Sequence, residues 1–173
     1  MLAGCVREVQ AEPRTTLNFN PGWRLWVGDP AGAEAPGFDD RQWQKVTLPH
    51  AWNEDDAFRL PIHEHRTGIA WYRKTFTLPP RPADRKVFLE CEGARQVAEF
   101  WLNGHYLGLH ENGVMAFGFD LTPYLKPGTE TNVLAVRTNN AWDYRERLSG
   151  ARFQWADRNF NANYGGLTKN LRL

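Results

Sequence analysis

The residues best suited to chemistry lie in a long polar segment near the end of the chain, Tyr144 to Asn163. Within it, Trp155 offers a flat aromatic face, and Asn159, Asn161 and Asn163 offer planar amides at every second position. Sugar sites use such amides for the hydroxyl groups and an aromatic ring for the C–H side of the pyranose. These four residues are therefore predicted sugar contacts, and the alternative is that the asparagines only hold turns.

A second polar segment runs from Asn53 to Arg66 and contains the acidic run 54–56 and the histidine pair 63 and 65. Loops longer than about 12 residues in a compact domain are often functional. Asn53 and Arg66, at its two ends, are further candidate sugar contacts. For Asn53 the alternative is a structural corner that packs on a neighbouring domain.

The side chains do not predict a complete catalytic group. Retaining glycosidases need two carboxyls about 5 Å apart, and we interpret the only tight acidic cluster, 54–56, as a solvated loop. Ser149 is the only serine and lacks a Gly-x-Ser-x-Gly setting. His63 and His65 have no nearby cysteine or third histidine, which favours surface histidines over a zinc site. The prediction is no catalytic residue, no metal site and no cofactor in this chain.

Composition narrows the possible partners. The chain has 21 basic and 20 acidic residues, so no nucleic-acid partner is expected. It contains no apolar run of about 18 residues, so no membrane span is predicted. Cys5 and Cys91 are the only cysteines, and Cys91 lies in a strand-like run, which predicts a buried free thiol rather than a disulfide.

An Asn-Gly turn at Asn103-Gly104 predicts a β-hairpin at the centre of the fold, because both residues tolerate the positive φ of a type I′ turn. The predicted cross-strand pairs are Leu102 with His105, Trp101 with Tyr106, Phe100 with Leu107, and Ala98 with Leu109. The predicted core face consists of Ala98, Phe100, Leu102, Leu107 and Leu109. The predicted outer face consists of Glu99, Trp101, Tyr106 and Gly108. A hairpin with one apolar face needs a second sheet to cover it.

Other short strand-like runs follow one another at near-regular spacing, within 17–27, 43–48, 68–78, 85–92, 117–121 and 132–138. Such spacing without helical periodicity is typical of an all-β protein, a jelly-roll β-sandwich. Residues 1–16 are polar and aperiodic, and we interpret them as a flexible N-terminal tail. Residues 17–173 are then one domain.

Four segments in order carry a family resemblance that covers nearly all of 17–173. They are W-x-x-V-x-L-P-H-x-W at 43–52, GIAWYRK-x-F at 68–76, FWLNG at 100–104, and NANYGGL at 161–167 with a strand after it. Together they resemble the N-terminal sugar-binding domain of glycoside hydrolase family 2, the family of β-galactosidases, β-glucuronidases and β-mannosidases.

The resemblance implies a jelly roll of the galactose-binding-domain-like type, followed in such enzymes by an immunoglobulin-like domain and a (β/α)8 barrel with two catalytic glutamates. The family's first domain normally ends where this chain ends, so the chain alone is expected to be inactive. The implied parent is a retaining β-glycosidase, foremost a β-galactosidase, and the implied ligand is a carbohydrate. The loop before the Gly-Gly motif often reaches the barrel mouth in such enzymes, and many have an acidic residue near position 159, where this chain has an amide. The alternatives are a free-standing carbohydrate-binding module and a purely structural domain for interdomain packing.

The first residues suggest a cellular location. Leu2-Ala3-Gly4-Cys5 resembles the lipobox before the lipid-modified cysteine of bacterial lipoproteins, although no signal segment precedes it here. If it is a truncated lipobox, the protein is expected in the periplasm or on the outer membrane. The alternative is a chance match of four residues.

Overall fold

Two antiparallel sheets form the framework of the computed structural model, which describes residues 14–82, 84–152 and 162–173. The strands of the described residues are β1 (Trp23–Val27), β2 (Gln44–Val46), β3 (Ile69–Phe76), β4 (Phe88–Cys91), β5 (Val97–Leu102), β6 (His105–His110), β7 (Phe117–Asp120), β8 (Asn132–Asn139) and β9 (Leu171–Arg172). The larger sheet has the order β2-β1-β3-β8-β5-β6, and the smaller has the order β7-β4-β9. The predicted all-β sandwich is confirmed.

Helical structure is limited to short pieces among the described residues. One turn of α-helix, α1 (Asp56–Arg59), and a 3-10 turn (Ile62–Glu64) lie inside the polar loop 53–66, and a second 3-10 turn spans Thr122–Tyr124. A single turn is too short to produce helical periodicity in the sequence, which explains why none was visible. No helix in the described part of the chain has the length and hydropathy needed to cross a membrane.

The β5–β6 hairpin follows its predicted register only next to the turn. Leu102 pairs with His105 and Trp101 with Tyr106, but a β-bulge then shifts the ladder by one residue. Phe100 lies opposite Gly108 rather than Leu107, and Ala98 lies opposite His110 rather than Leu109. The predicted pairing beyond Trp101 is therefore wrong.

Gly108 explains the bulge. A Cβ atom on Gly108 would lie 2.8 Å from the Phe119 ring of β7 and would require a φ of +152°. The residue therefore faces the core, not the outer face as predicted, and only glycine fits there comfortably. The extra residue, Leu107, packs against the same core.

The main core lies between the two sheets. Its fully buried members come from both layers and include Trp23, Tyr72, Leu89, Phe100, Leu134 and Leu171. The thiol of Cys91 is free and buried here, as predicted, and burial raises its pKa to about 12. This core fixes the positions of the strand ends, from which the polar loops leave.

A second, smaller cluster covers the outer face of the larger sheet. Trp71 of β3 stacks on Trp101 of β5 with ring centroids 5.2 Å apart, and the segment after β1 lays Ala33 against them. That segment is fixed by Arg73, a buried residue whose Nε donates to Asp40 Oδ2 at 2.9 Å. The protein's own chain therefore fills part of the outer face.

The first and last described segments lie side by side. The amide of Leu17 donates to the carbonyl of Leu173 at 2.7 Å, and the amide of Leu173 donates back to Leu17 at 3.1 Å. Residues 1–13, which include the lipobox-like motif and most of the predicted tail, lie outside the described residues.

Phe100→Ala should lower the free energy of unfolding by roughly 3–5 kcal/mol, because it empties a fully buried position between the sheets. Phe88→Ala is the matched control: Phe88 is 46% exposed, and the same truncation there should cost less than about 1.5 kcal/mol. Urea unfolding measures both. Equal costs for the two variants would contradict the core described above.

Candidate functional site: a clasp at the base of two loops

Four buried amide side chains meet where the polar loops leave the sandwich. We call them the loop clasp: Asn53, Gln96, Asn140 and Asn163. None of them is more than 1% exposed. Each bridges backbone or side-chain groups that are distant in sequence, so the clasp joins separate parts of the chain.

The first loop is closed by a reciprocal pair of hydrogen bonds. Asn140 Nδ2 donates to the carbonyl of Asn163 at 2.9 Å, and Asn163 Nδ2 donates to the carbonyl of Asn140 at 2.7 Å. Gln96, just before β5, holds the free side of Asn163 by donating from Nε2 to its Oδ1 at 2.9 Å. The two ends of segment 141–162 are therefore fixed to each other and to the larger sheet.

The second loop is closed by Asn53. Its Nδ2 donates to the carbonyl of Arg66, the other end of loop 53–66, at 2.7 Å. The same group donates to the carbonyl of Asn163 at 2.8 Å, and Oδ1 accepts from the amide of Gly165 at 2.9 Å. One asparagine thus closes its own loop and joins that loop to the first.

Asp56 reinforces the second loop. It is only 4% exposed, and its carboxylate accepts from the Arg66 amide at 2.8 Å and from the Arg66 guanidinium at 2.8–3.0 Å. These hydrogen bonds, chiefly those from the Arg66 side chain, lower the pKa of Asp56 although burial opposes the shift. The guanidinium also lies 5.9 Å from the Trp52 ring, within range of a cation–π contact.

Two predictions about loop 53–66 need correction. The acidic run was predicted to be solvated, but Asp56 is buried because it pairs with Arg66. His63 is exposed as predicted, whereas His65 is 5% exposed, with Nε2 3.3 Å from the carbonyl of Leu60. In the described ranges no three His, Cys, Asp or Glu residues are grouped so that they could hold a metal ion.

Gly165 and Gly166 let the chain after the first loop pass close to the clasp. A Cβ on Gly165 would lie 2.6 Å from Cγ of Asn140, and one on Gly166 would lie 2.8 Å from the carbonyl oxygen of His50. Gly166 also has a φ of +127°. Both positions therefore require glycine, for contact and, at Gly166, also for backbone conformation.

The structure brings three of the predicted sugar contacts together. Asn53 and Asn163 are clasp residues whose amides are occupied by protein groups, and Arg66 is bound to Asp56 with its side chain 61% exposed. Trp155, Asn159 and Asn161 lie in 153–161, outside the described residues. The sugar contact predicted for all six stays a prediction, and the geometry adds a structural role for Asn53 and Asn163.

Gln96 and Asn140 were not singled out from the sequence. The sequence feature that could have indicated them is an amide residue directly at the end of an apolar strand. Gln96 precedes β5, and Asn140 follows β8. A polar residue at such a position often satisfies backbone groups that the ladder leaves open. The sequence alone does not show which groups those are.

This framework, two antiparallel sheets with polar loops clasped at one end, defines a galactose-binding-like β-sandwich domain. The profile of the glycosyl hydrolase 2 galactose-binding domain-like family matches residues 49–168, more than half of the chain. The chain therefore belongs to the N-terminal galactose-binding-like domains of glycoside hydrolase family 2.

Individual relatives agree with this assignment. A β-glucuronidase of Formosa agariphila is 36% identical over 174 residues, which is 95% of this chain and 17% of that protein. A β-galactosidase of Bacteroides ovatus is 37% identical over 81% of this chain and 17% of its own length. The solved structure of a family 2 β-glucuronidase superposes with a TM-score of 0.79 at 35% identity, over 91% of this chain and 17% of that one. The chain thus spans about a sixth of the relatives that it matches.

Asn163→Ala should lower the free energy of unfolding by about 2–6 kcal/mol. It leaves the amide of Gln96 and the carbonyl of Asn140 buried without their partner, at roughly 1–3 kcal/mol each. Asn18→Ala is the control: this exposed asparagine makes one local bond, to the amide of Asn20, and should change stability by less than about 1 kcal/mol. Equal effects in urea unfolding would contradict the clasp.

Asp56→Asn should destabilise the domain by about 1–2 kcal/mol at pH 7, because it weakens a charged hydrogen bond to a solvent-screened arginine. The folded-state pKa of Asp56 is lowered, so its stabilisation is present above about pH 4 and is lost as pH falls through that lowered pKa. The difference between wild type and variant should therefore shrink below about pH 4. Unfolding free energies from pH 7 to pH 3 measure it, and a constant difference would contradict the pairing.

Proposed function

We propose that this chain is the non-catalytic N-terminal sandwich of a β-glycosidase and that its loop clasp holds two polar loops at the mouth of a catalytic (β/α)8 barrel. The observation that carries the proposal is the clasp itself. It fixes the bases of loops 53–66 and 141–162 side by side, through the bonds of Asn53 to both Arg66 and Asn163. A domain that served only as packing would not need two long polar loops held together in this way.

Names of the relatives support a carbohydrate substrate with a β linkage. One relative is called a β-glucuronidase and another a β-galactosidase, at nearly equal identity to this chain. A β-galactoside, the substrate expected from the sequence, and a β-glucuronide are therefore equally supported. The proposed partners within the same protein are an immunoglobulin-like domain and the barrel.

The loop clasp would act by holding the two polar loops in fixed positions. Groups that contact a substrate must be held within a fraction of an ångström, and loops alone do not achieve this. Fixing the two ends of a loop removes much of the entropy that ordering it would cost. In this proposal Asn53 and Asn163 are positioning residues, while Trp155, Asn159 and Asn161 contact the sugar.

The proposal is tested with the chain alone and with a hybrid in which it replaces the matching segment of the Formosa agariphila β-glucuronidase. The chain alone should not turn over aryl β-glucuronides or β-galactosides, because the family's catalytic carboxyl pair lies in the barrel. The hybrid should hydrolyse an aryl β-glucuronide. Turnover by the chain alone that persists through purification would overturn the proposal.

Within the hybrid, Asn159→Ala and Asn161→Ala should each lower kcat/KM by about two- to tenfold, the loss expected for one uncharged hydrogen bond. Asn18→Ala, on an exposed residue outside the clasp, is the matched control and should leave kcat/KM unchanged. Unchanged kinetics in both loop variants, with the hybrid folded, would remove the sugar contacts from the proposal and leave only the positioning role.

A further inference from the structure

A short hairpin forms the first part of segment 141–162, and we call it the 144–152 hairpin. The amide of Glu146 donates to the carbonyl of Ala151, and the amide of Gly150 donates to the carbonyl of Glu146, both at 2.9 Å. Gly150 has a φ of +66°, a conformation that glycine adopts readily in a tight turn. These bonds fix the shape of the hairpin, but its position on the sandwich depends on other contacts.

Glu111, in the turn after β6, makes the first of those contacts. Its Oε1 accepts from the hydroxyl of Tyr144 at 2.5 Å and from the backbone amide of Arg147 at 2.9 Å. Hydrogen bonds to a charged acceptor are stronger than those between neutral groups. One carboxylate oxygen therefore joins two points of the hairpin to the end of β6.

The side chain of Arg147 makes the second contact, on the outer face of the larger sheet. Its Nη2 donates to Oε1 of Glu99, a residue of β5, at 2.5 Å. Glu99 is only 8% exposed, and its Oε2 accepts from Nη1 of Arg137 on β8 at 3.1 Å. A carboxylate as buried as this one depends on its cationic partners, and Arg147 is one of the two. We call Glu99, Glu111 and Arg147 the hairpin anchor.

Glu99 is held in place by the sheet even without the hairpin. Arg137, its partner on β8, also donates to the two carboxylate oxygens of Asp29 at 2.9 and 2.7 Å. Asp29 accepts in addition from the indole Nε1 of Trp71 at 2.7 Å. Because these bonds do not involve the hairpin, the hairpin can leave Glu99 without disturbing the sheet. The opening of the anchor is then a local event.

The hairpin anchor and the loop clasp act on the same segment at different points. The clasp fixes the two ends of segment 141–162, and the anchor fixes Arg147 between them. Dividing a loop into shorter pieces lowers the entropy that each piece loses when it is ordered. The side chain of Arg147 is 55% exposed, so salt can screen its pairing with Glu99.

We propose that Glu99 and Glu111 are positioning residues, which hold the 144–152 hairpin against the larger sheet and thereby direct the rest of the segment toward the mouth of the barrel. The predicted sugar contacts Trp155, Asn159 and Asn161 follow the hairpin directly in the chain. The role in catalysis rests on the proposed function, whereas the anchor is a property of this chain alone. The anchor opens without unfolding of the sandwich, and salt weakens it.

Hydrogen exchange of the ¹⁵N-labelled chain, followed by NMR, tests the anchor. Glu111→Ala should speed exchange of the Arg147 amide by about tenfold or more, because that amide loses a charged acceptor. Exchange within β8 should stay unchanged, because the opening is local. Glu130→Ala, which truncates an exposed glutamate outside the anchor, is the matched control and should leave exchange at Arg147 unchanged.

Salt dependence tests the ionic part of the anchor. Arg147→Ala should speed exchange of the hairpin amides by about two- to tenfold, because it removes the ion pair with Glu99. Raising NaCl from about 0.05 to about 0.5 M should speed the same amides in the wild type but not in Arg147→Ala. The control is Arg41→Ala, which removes an exposed ion pair with Asp39 and should change neither result.

The positioning role is tested in the hybrid with the Formosa agariphila β-glucuronidase. Glu111→Ala and Arg147→Ala should each raise KM for an aryl β-glucuronide by about two- to tenfold and leave kcat within about twofold, because the loop must then be ordered at the expense of binding energy. Loss of folded enzyme would instead lower the apparent kcat at an unchanged KM. Arg147→Lys keeps a cation beside Glu99 and should return KM to within about twofold of the wild type.

The two kinds of readout fail separately. Exchange at Arg147 that is equal in Glu111→Ala and Glu130→Ala would overturn the anchor and leave the proposed function standing. Unchanged KM in Glu111→Ala and Arg147→Ala, with faster exchange of the hairpin, would overturn the positioning role. An inactive hybrid with the wild-type sandwich would count against the proposed function, while the exchange data on the chain alone would still support the anchor.

Discussion

The arrangement of the two polar loops depends on one interaction, the reciprocal pair of amide hydrogen bonds between Asn140 and Asn163. An amide side chain can donate to one backbone carbonyl and accept from another group at the same time without adding charge. Because the pair is buried, losing one of its two bonds would leave a polar group without water or a partner, at a cost of about 1–3 kcal/mol. Since the carbonyl of Asn163 also accepts from Asn53, the same residue holds the bases of both loops.

The pairing of the strands determines where the residues of the loop clasp lie. Gln96 and Asn140 extend two neighbouring strands, β5 and β8, whose pairing fixes their separation. Asn163 arrives from the other side, past Gly165, where any side chain would collide with Asn140. A rigid core therefore positions the amides, and the amides position the loops. The packing of the core therefore determines the positions of the loop bases.

The strands could be predicted from the sequence because their patterns are local. Alternation of apolar residues and an Asn-Gly turn depend only on neighbours in the chain, and the predicted hairpin forms with the right turn. The bulge at Leu107 could not be predicted, since the close approach between Gly108 and the ring of Phe119 involves another strand. The burial of Asp56 was missed for the same reason: an acidic run looks solvated until a partner ten residues away is placed beside it. Asn53 and Asn163 were singled out for their chemistry, but a bond between residues 110 positions apart leaves no local trace.

The paired backbone bonds of Leu17 and Leu173 place the first and last described segments of the sandwich side by side. A polypeptide that continued in either direction would leave from adjacent positions on one edge, so the sandwich can be exchanged between proteins without moving what lies before or after it. Domains whose termini meet in this way tolerate insertion and circular permutation. A sandwich exchanged at this edge would carry both polar loops with it, because the loop clasp that joins them lies inside the domain.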